Sequence, residues 1–291
     1  MEYLSRKLGA LKENPNFNYH PRCEKLSITH LMFADDLLLF ARADMSSVDL
    51  MFQAFKEFSA ASGLAANLDK SNVYFAGIND DEKDRLQQIL HIPVGNFPFK
   101  YLGVPLQVRK LFYSECKPLI AKVVARIQLW TAKKLSYAGR SQLISSVLQG
   151  IQLYWSQIFL LPKKVLREIQ SILRSFLWSG TSDSRKALVA WDDLCYKKTS
   201  GGLNFKESIT WNTAAIGKFF WALAQKQDRL WIKWLHAYYI KRRDVWSMEI
   251  PKRLSWALKK ILEARNHLEN PMQCLQFEHD GKFSIKSSIG F

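Results

Sequence analysis

The residues of this 291-residue chain best suited to chemistry are two adjacent aspartates, Asp35 and Asp36. They interrupt an apolar stretch, Leu31-Met-Phe33 on one side and Leu37-Leu-Leu-Phe40 on the other. A carboxylate pair in such surroundings is costly unless something neutralises it. Divalent cations do so, and two carboxylate-held ions serve phosphoryl transfer. One activates an attacking hydroxyl and the other stabilises the leaving phosphate. The competing expectation is a plain turn, since Asp is a common turn residue.

The elements that must position this pair follow from the flanking pattern. Residues 26–33 alternate and residues 37–40 form a short apolar run, which predicts a hairpin with an acidic turn. His30 lies on the opposite parity from Asp36 and is expected to pack in the strand rather than bind a metal. Residues 1–11 and 48–61 are predicted helices. The second carries Met51, Phe55 and Phe58 on one face, N-cap candidates at residues 44–47 and Gly63 as its stop. Residues 67–76 read as a strand, with Lys70 at its start. Residues 80–90 read as a short charged helix.

The charge is unevenly spread. Residues 1–100 carry 11 Lys and Arg against 13 Asp and Glu, residues 101–180 carry 12 against 2, and residues 181–291 carry 19 against 11. The net +16 therefore arises beyond Tyr101, which favours an anionic polymer or an anionic membrane surface as partner. Two predicted helices fill the middle region. Leu119, Ile120, Val123, Val124, Ile127 and Trp130 make one apolar stripe, with Lys122, Arg126 and Lys133 opposite. Val165, Ile169, Ile172, Leu173 and Phe176 make the other, with Lys163, Arg167 and Arg174 at the same 4-then-7 spacing. The two basic ridges could face one phosphate backbone; the competing expectation is two solvated helix faces. Arg140 follows Gly139 at a helix start and is a further candidate phosphate contact.

Residues 141–162 carry no charge, yet Gln142, Gln149, Gln152 and Gln157 argue for a protein core rather than lipid. Residues 181–291 read as helical and Trp-rich, with most Trp in the core. Cys23, Cys116, Cys195 and Cys274 are far apart and form no CxxC, so neither a zinc site nor a disulfide framework is expected. Reduced thiols and an N-terminus without a secretory pattern favour an intracellular protein, nuclear or cytoplasmic.

Several ordered segments resemble the reverse transcriptase of LINE-type (non-LTR) retrotransposons, most closely the plant kind. Residues 1–6 resemble the stretch after that family's template-contacting motif. Thr29-His-Leu-Met-Phe-Ala-Asp-Asp-Leu-Leu-Leu-Phe40 is similar to its catalytic hairpin, and Ser62-Gly-Leu-Ala-Ala-Asn-Leu-Asp-Lys-Ser71 to the next palm motif. Tyr101-Leu-Gly-Val-Pro-Leu106 resembles the primer grip. Residues 135–144 and Phe176-Leu-Trp-Ser-Gly180 resemble the thumb, while residues 188–191 and 201–204 resemble the connector to a zinc-binding region.

The resemblance implies an α+β fold: a palm remnant over residues 1–100, primer grip and helical thumb over 101–180, and a helical connector over 181–291. It implies RNA-directed DNA synthesis with Mg²⁺ held by Asp35 and Asp36, deoxynucleoside triphosphates as substrates, and an RNA template or RNA–DNA hybrid as partner. Lys70 would sit near the leaving phosphates, and Tyr101 and Gly103 at the primer. The family pattern also demands a further palm aspartate and a fingers subdomain, both expected upstream of Met1, and a Cys/His cluster after Phe291. The chain is thus expected to be a truncated, catalytically incomplete enzyme. A non-enzymatic nucleic-acid binder and a transposon relic without function are the rivals.

Overall fold

The computed structural model describes residues 1–106, 109–131, 133–184, 187–252, 254–268, 278–279 and 282–285. Cys274 lies outside them. The chain is α+β, with small hairpins, one of them near the N-terminus, and a mainly helical remainder. It divides into two compact units, Met1–Phe99 with Arg229–Arg242, and Lys100–Asp228 with Arg243–Phe291.

In the first unit, helix α1 (Glu2–Ala10) precedes strands β1 (His30–Phe33) and β2 (Asp36–Leu39), then helices α2 (Met45–Ser62) and α3 (Asp80–Leu90). Asp44 caps α2 by accepting the Ser47 N–H (2.8 Å), and Gly63, at φ 70°, ends it. A reciprocal cap between Asn79 and Glu82 starts α3. Leu4, Leu8, Phe17, Met51, Ala54 and Phe58 form the core.

The expected strand over residues 67–76 is absent. Asn67 accepts the Lys70 N–H (3.1 Å) and closes a 3₁₀ turn, Leu68–Lys70, leaving only an isolated bridge between Val73 and Val94. Such local side-chain bonds compete with sheet ladders.

In the second unit, strands β3 (Phe99–Tyr101) and β4 (Val104–Leu106) form a hairpin, with Phe99 the last residue of the first unit. Helix α4 (Lys117–Thr131) follows. Helix α5 (Tyr137–Leu143) runs through a π turn, Ile144–Leu148, into α6 (Gln149–Ser156). Then come α7 (Lys163–Ser179), α8 (Trp191–Cys195) and α9 (Ser208–Ala224).

The two apolar stripes predicted for α4 and α7 meet in one core with Ile144, Leu148 and Trp155. That core continues across residue 180 to Trp191, Leu194, Cys195 and Phe205. Residues 141–156 are helical and 157–162 turn into α7; the Gln149 amide donates to the Lys206 carbonyl (3.1 Å), and Gln152 accepts from Ser208 (3.1 Å). Among the described residues, no helix is long and apolar enough to cross a membrane.

Helix α10 (Leu230–Leu235) and the π turn after it return to the first unit. Trp234 Nε1 donates to the Arg22 carbonyl (2.6 Å), and the Tyr238 hydroxyl accepts the Lys25 N–H (2.9 Å). Helix α11 (Trp256–Glu263) and a minimal hairpin, β5 (Glu278–His279) with β6 (Lys282–Phe283), complete the described second unit.

Candidate nucleic-acid interface

The acidic hairpin forms, but shorter than the alternation predicts: Glu24–Leu26 closes a 3₁₀ turn that Ser27 ends at φ 49°, so β1 starts only at His30, and Asp36 opens β2. β1 and β2 pair antiparallel from His30 opposite Leu39 to Phe33 opposite Asp36, leaving Ala34 and Asp35 as the two-residue turn. Ala34 sits at φ 52°, a left-handed conformation that disfavours any side chain. Asp35 and Asp36 are both exposed. Asp36 shares its face with Phe33, which is 60% exposed, while Met32 and Leu37 on the other face pack on the core.

His30 belongs to that inner face. Its Nε2 meets Ser5 Oγ at 2.8 Å and its Nδ1 meets Thr29 Oγ1 at 2.9 Å. Burial pulls its pKa below the ordinary histidine value, favouring the neutral ring.

A magnesium ion demands a near-octahedral oxygen set. The turn offers two adjacent carboxylates, and among the described residues no group of three or more His, Cys, Asp or Glu is placed to hold a metal. By themselves the residues present do not fit a held Mg²⁺, and no chemical step is derived through one. Lys70 ends the exposed 3₁₀ turn, with no hydrogen bond or ion pair to Asp35 or Asp36 among the described residues.

In the β3–β4 hairpin, Tyr101 is half-buried and Gly103 occupies the turn at φ 77°, beside Leu102 at φ 49°. Two successive left-handed residues make the turn type that matches strand twist, which explains glycine at 103. The Leu102 carbonyl accepts the Tyr154 hydroxyl at 2.6 Å, which ties this turn to α6.

The basic ridges stand largely as the periodicity predicts. Lys122 and Arg126 are exposed on α4. Lys163 and Arg167 are exposed on α7, and Arg174 is half-buried. Lys133 differs. Helix α4 ends at Thr131, and Lys133 lies in the following turn, its N–H donating to the Trp130 carbonyl (3.0 Å). Helical spacing therefore does not align it with Lys122 and Arg126. Lys134, at φ 40°, turns the chain away.

No Asp or Glu occurs between Glu115 and Glu168. Accordingly, Lys122, Arg126, Lys133, Lys163, Arg167 and Arg174 make no ion pair among the described residues, whereas Arg109 binds Glu115 (3.0 Å). Arg174 also lines a cleft of about 380 Å³ with Ser171, Ser175, Ser182, Asp183 and Ser184.

Arg140 is half-buried where α5 packs on α7, and its Nε finds no partner among the described residues. Its Nη1 lies 3.2 Å from where a Cβ on Gly180 would be, so a side chain at 180 would press on the guanidinium. Periodicity could not reveal this meeting, because 40 residues separate the two. The Trp residues are buried or half-buried throughout, as their helical spacing predicts. Burial raises the Cys116 and Cys195 thiols to about 12, so neither is poised as a nucleophile.

No protein-family model matches the chain. A stretch of 137 residues, 47% of the chain, is 34% identical to an Arabidopsis thaliana protein named "Putative ribonuclease H protein". The match covers 22% of that protein's length.

Proposed function

We propose that the chain is part of an intracellular RNA-directed DNA polymerase of the LINE type, and that its helical unit grips the phosphate backbone of an RNA–DNA hybrid. The observation that carries the binding half is the acid-free span from Cys116 to Arg167, whose cations on α4 and the start of α7 are left without ion-pair partners among the described residues. A surface of that kind attracts a polyanion through counterion release, whatever its sequence. The polymerase half rests on the hairpin: two carboxylates at a tight turn, in a segment resembling that family's catalytic motif. The ribonuclease H named for the Arabidopsis relative belongs to a protein that this match covers only in part, and it agrees with a nucleic-acid partner.

The 291 residues alone are expected to bind but not to extend a primer. In-line transfer at Mg²⁺ needs a further protein ligand beside Asp35 and Asp36 to fix attacking and leaving oxygens. The test pairs two assays on the purified chain. In the first, log affinity for an RNA–DNA hybrid should fall with log salt at a slope of about −4 to −5, as about five phosphates neutralised by Lys122, Arg126, Lys163, Lys164 and Arg167 require. Salt-insensitive binding, or none at 50 mM salt, refutes the grip. In the second, template-dependent extension that is lost in Asp35→Asn would refute the incompleteness and leave the polymerase standing. The unpaired ridges equally favour a binder without catalysis, and a blank extension assay with a steep salt slope is its signature.

A further inference from the structure

We infer that the end of the helical unit where α5 meets the C-terminus of α7 is a stacking site for an unpaired nucleobase, with its phosphate held by Arg140 and the Lys133–Lys134 turn. The inference rests on the nucleic-acid reading above and adds a place and a strand type to it.

Four observations converge there. Tyr137 and Trp178 are ring neighbours, with centroids 5.2 Å apart and planes at 36°. Tyr137 remains 39% exposed, so part of its ring is open while the rest leans on the half-buried Trp178. Two donors at this spot, Arg140 Nε and Trp178 Nε1, are buried with no hydrogen-bond partner among the described residues. Unmet buried donors are uncommon, and each calls for a reason. Finally, the Thr131 hydroxyl donates to the Gly180 carbonyl (3.4 Å) and ties the end of α4 to the end of α7. Lys133 and Lys134, both exposed, follow within three residues of that tie.

The chemistry of these groups selects the ligand. An aromatic ring with an open face accepts any base by stacking, since every base has a π-face. Bases are open to stacking only where a strand is unpaired. A guanidinium and two ammonium groups supply what the adjoining phosphate needs, and no carboxylate in the span from Cys116 to Arg167 competes for them. The carboxyl end of α7 carries a partial negative charge, which the three cations outweigh. Gly180, at φ 81°, closes that helix and leaves the guanidinium its room.

The experiment titrates the full chain with a 12-nucleotide single strand carrying 2-aminopurine, and with a blunt duplex of the same length. The parent chain is expected to prefer the single strand and to quench the 2-aminopurine. Tyr137→Leu, which keeps apolar volume but removes the ring, should weaken single-strand binding about tenfold, abolish the quench and leave duplex binding unchanged. Tyr137→Phe should restore both. Arg140→Gln should lower the salt slope by about one phosphate. If Tyr137→Leu retains the preference and the quench, the stacking site is refuted. Should Lys122→Gln with Arg167→Gln still flatten the salt slope in that case, the backbone grip survives. No binding of either probe at 50 mM salt refutes both. A cooperative melt of Tyr137→Leu matching the parent separates lost stacking from lost folding, and if that variant does not fold, the preference in Arg140→Lys decides. A preference lost with the charge kept supports the planar fork at this site, and an unchanged preference refutes it.

Discussion

The two units divide the chemistry unequally. The first carries the carboxylates on a two-stranded hairpin over a small core, with Phe33 and Leu31 exposed on the hairpin's outer face. The second carries the cations on helices whose inner faces fill a continuous core from Val104 to Phe205. A phosphate grip tolerates some displacement, because Coulomb attraction fades slowly with distance. A metal site does not, since ligands must converge to within a few tenths of an ångström. The unit with the less demanding task is the better supported one. In the first unit, the exposed hairpin face and both free strand edges are open to further pairing.

The contrast can be broken from the core outward. Phe176→Ala removes a fully buried ring that lies 6.0 Å from Trp130. It should cost the helical unit about 4 kcal/mol, seen as a lower urea midpoint in tryptophan fluorescence. A loss below about 1 kcal/mol would mean that this core is loosely packed.

A smaller change sharpens the contrast from the other side. Ala34→Gly relieves the left-handed strain in the acidic turn and should stabilise the first unit by about 1 kcal/mol. The check is slower amide exchange in β1 and β2, with the exchange of α7 unchanged.

The smallest effect is a pH dependence confined to the first unit. Burial lowers the folded-state pKa of His30 below 6.5, so the unfolded chain takes up this proton first as pH falls. The contribution is present in full above the unfolded value and is lost as pH drops through about 6.5 toward the folded one. Exchange in β1 should therefore accelerate between pH 7 and 5, and His30→Gln should flatten that profile.

Much of this architecture is legible in the sequence because periodicity is a local property. The stripes of α4 and α7 fix helix, inner face and exposed cations together. The N-cap candidates at residues 44–47 and the stop at Gly63 bracket α2, whose cap is Asp44. The failures share a cause. Residues 67–76 look like a strand until Asn67 bonds the Lys70 amide, a choice that composition does not reveal. Lys133 fits the ridge only if α4 runs past Thr131, and the chain bends there instead. The return of residues 229–242 to the first unit, and the contact of Arg140 with Gly180, join residues with no shared local pattern. At the candidate metal site the residue types were readable, but whether a third ligand converges on them is a question of tertiary geometry.

The acid-free span has one more consequence. Its lack of carboxylates is a property of the covalent chain, so it holds before folding as well as after. RNA should cling to this segment whether or not the helices have formed. A partner that binds folded and unfolded chains alike adds nothing to stability, because mass action rewards only differential affinity. Bulk duplex should thus leave the melting temperature of the helical unit nearly unmoved. A single strand seated on Tyr137 and Arg140 requires α5 and α7 in place, and it alone should raise that temperature. Heat becomes the means of telling a sticky sequence from a built site.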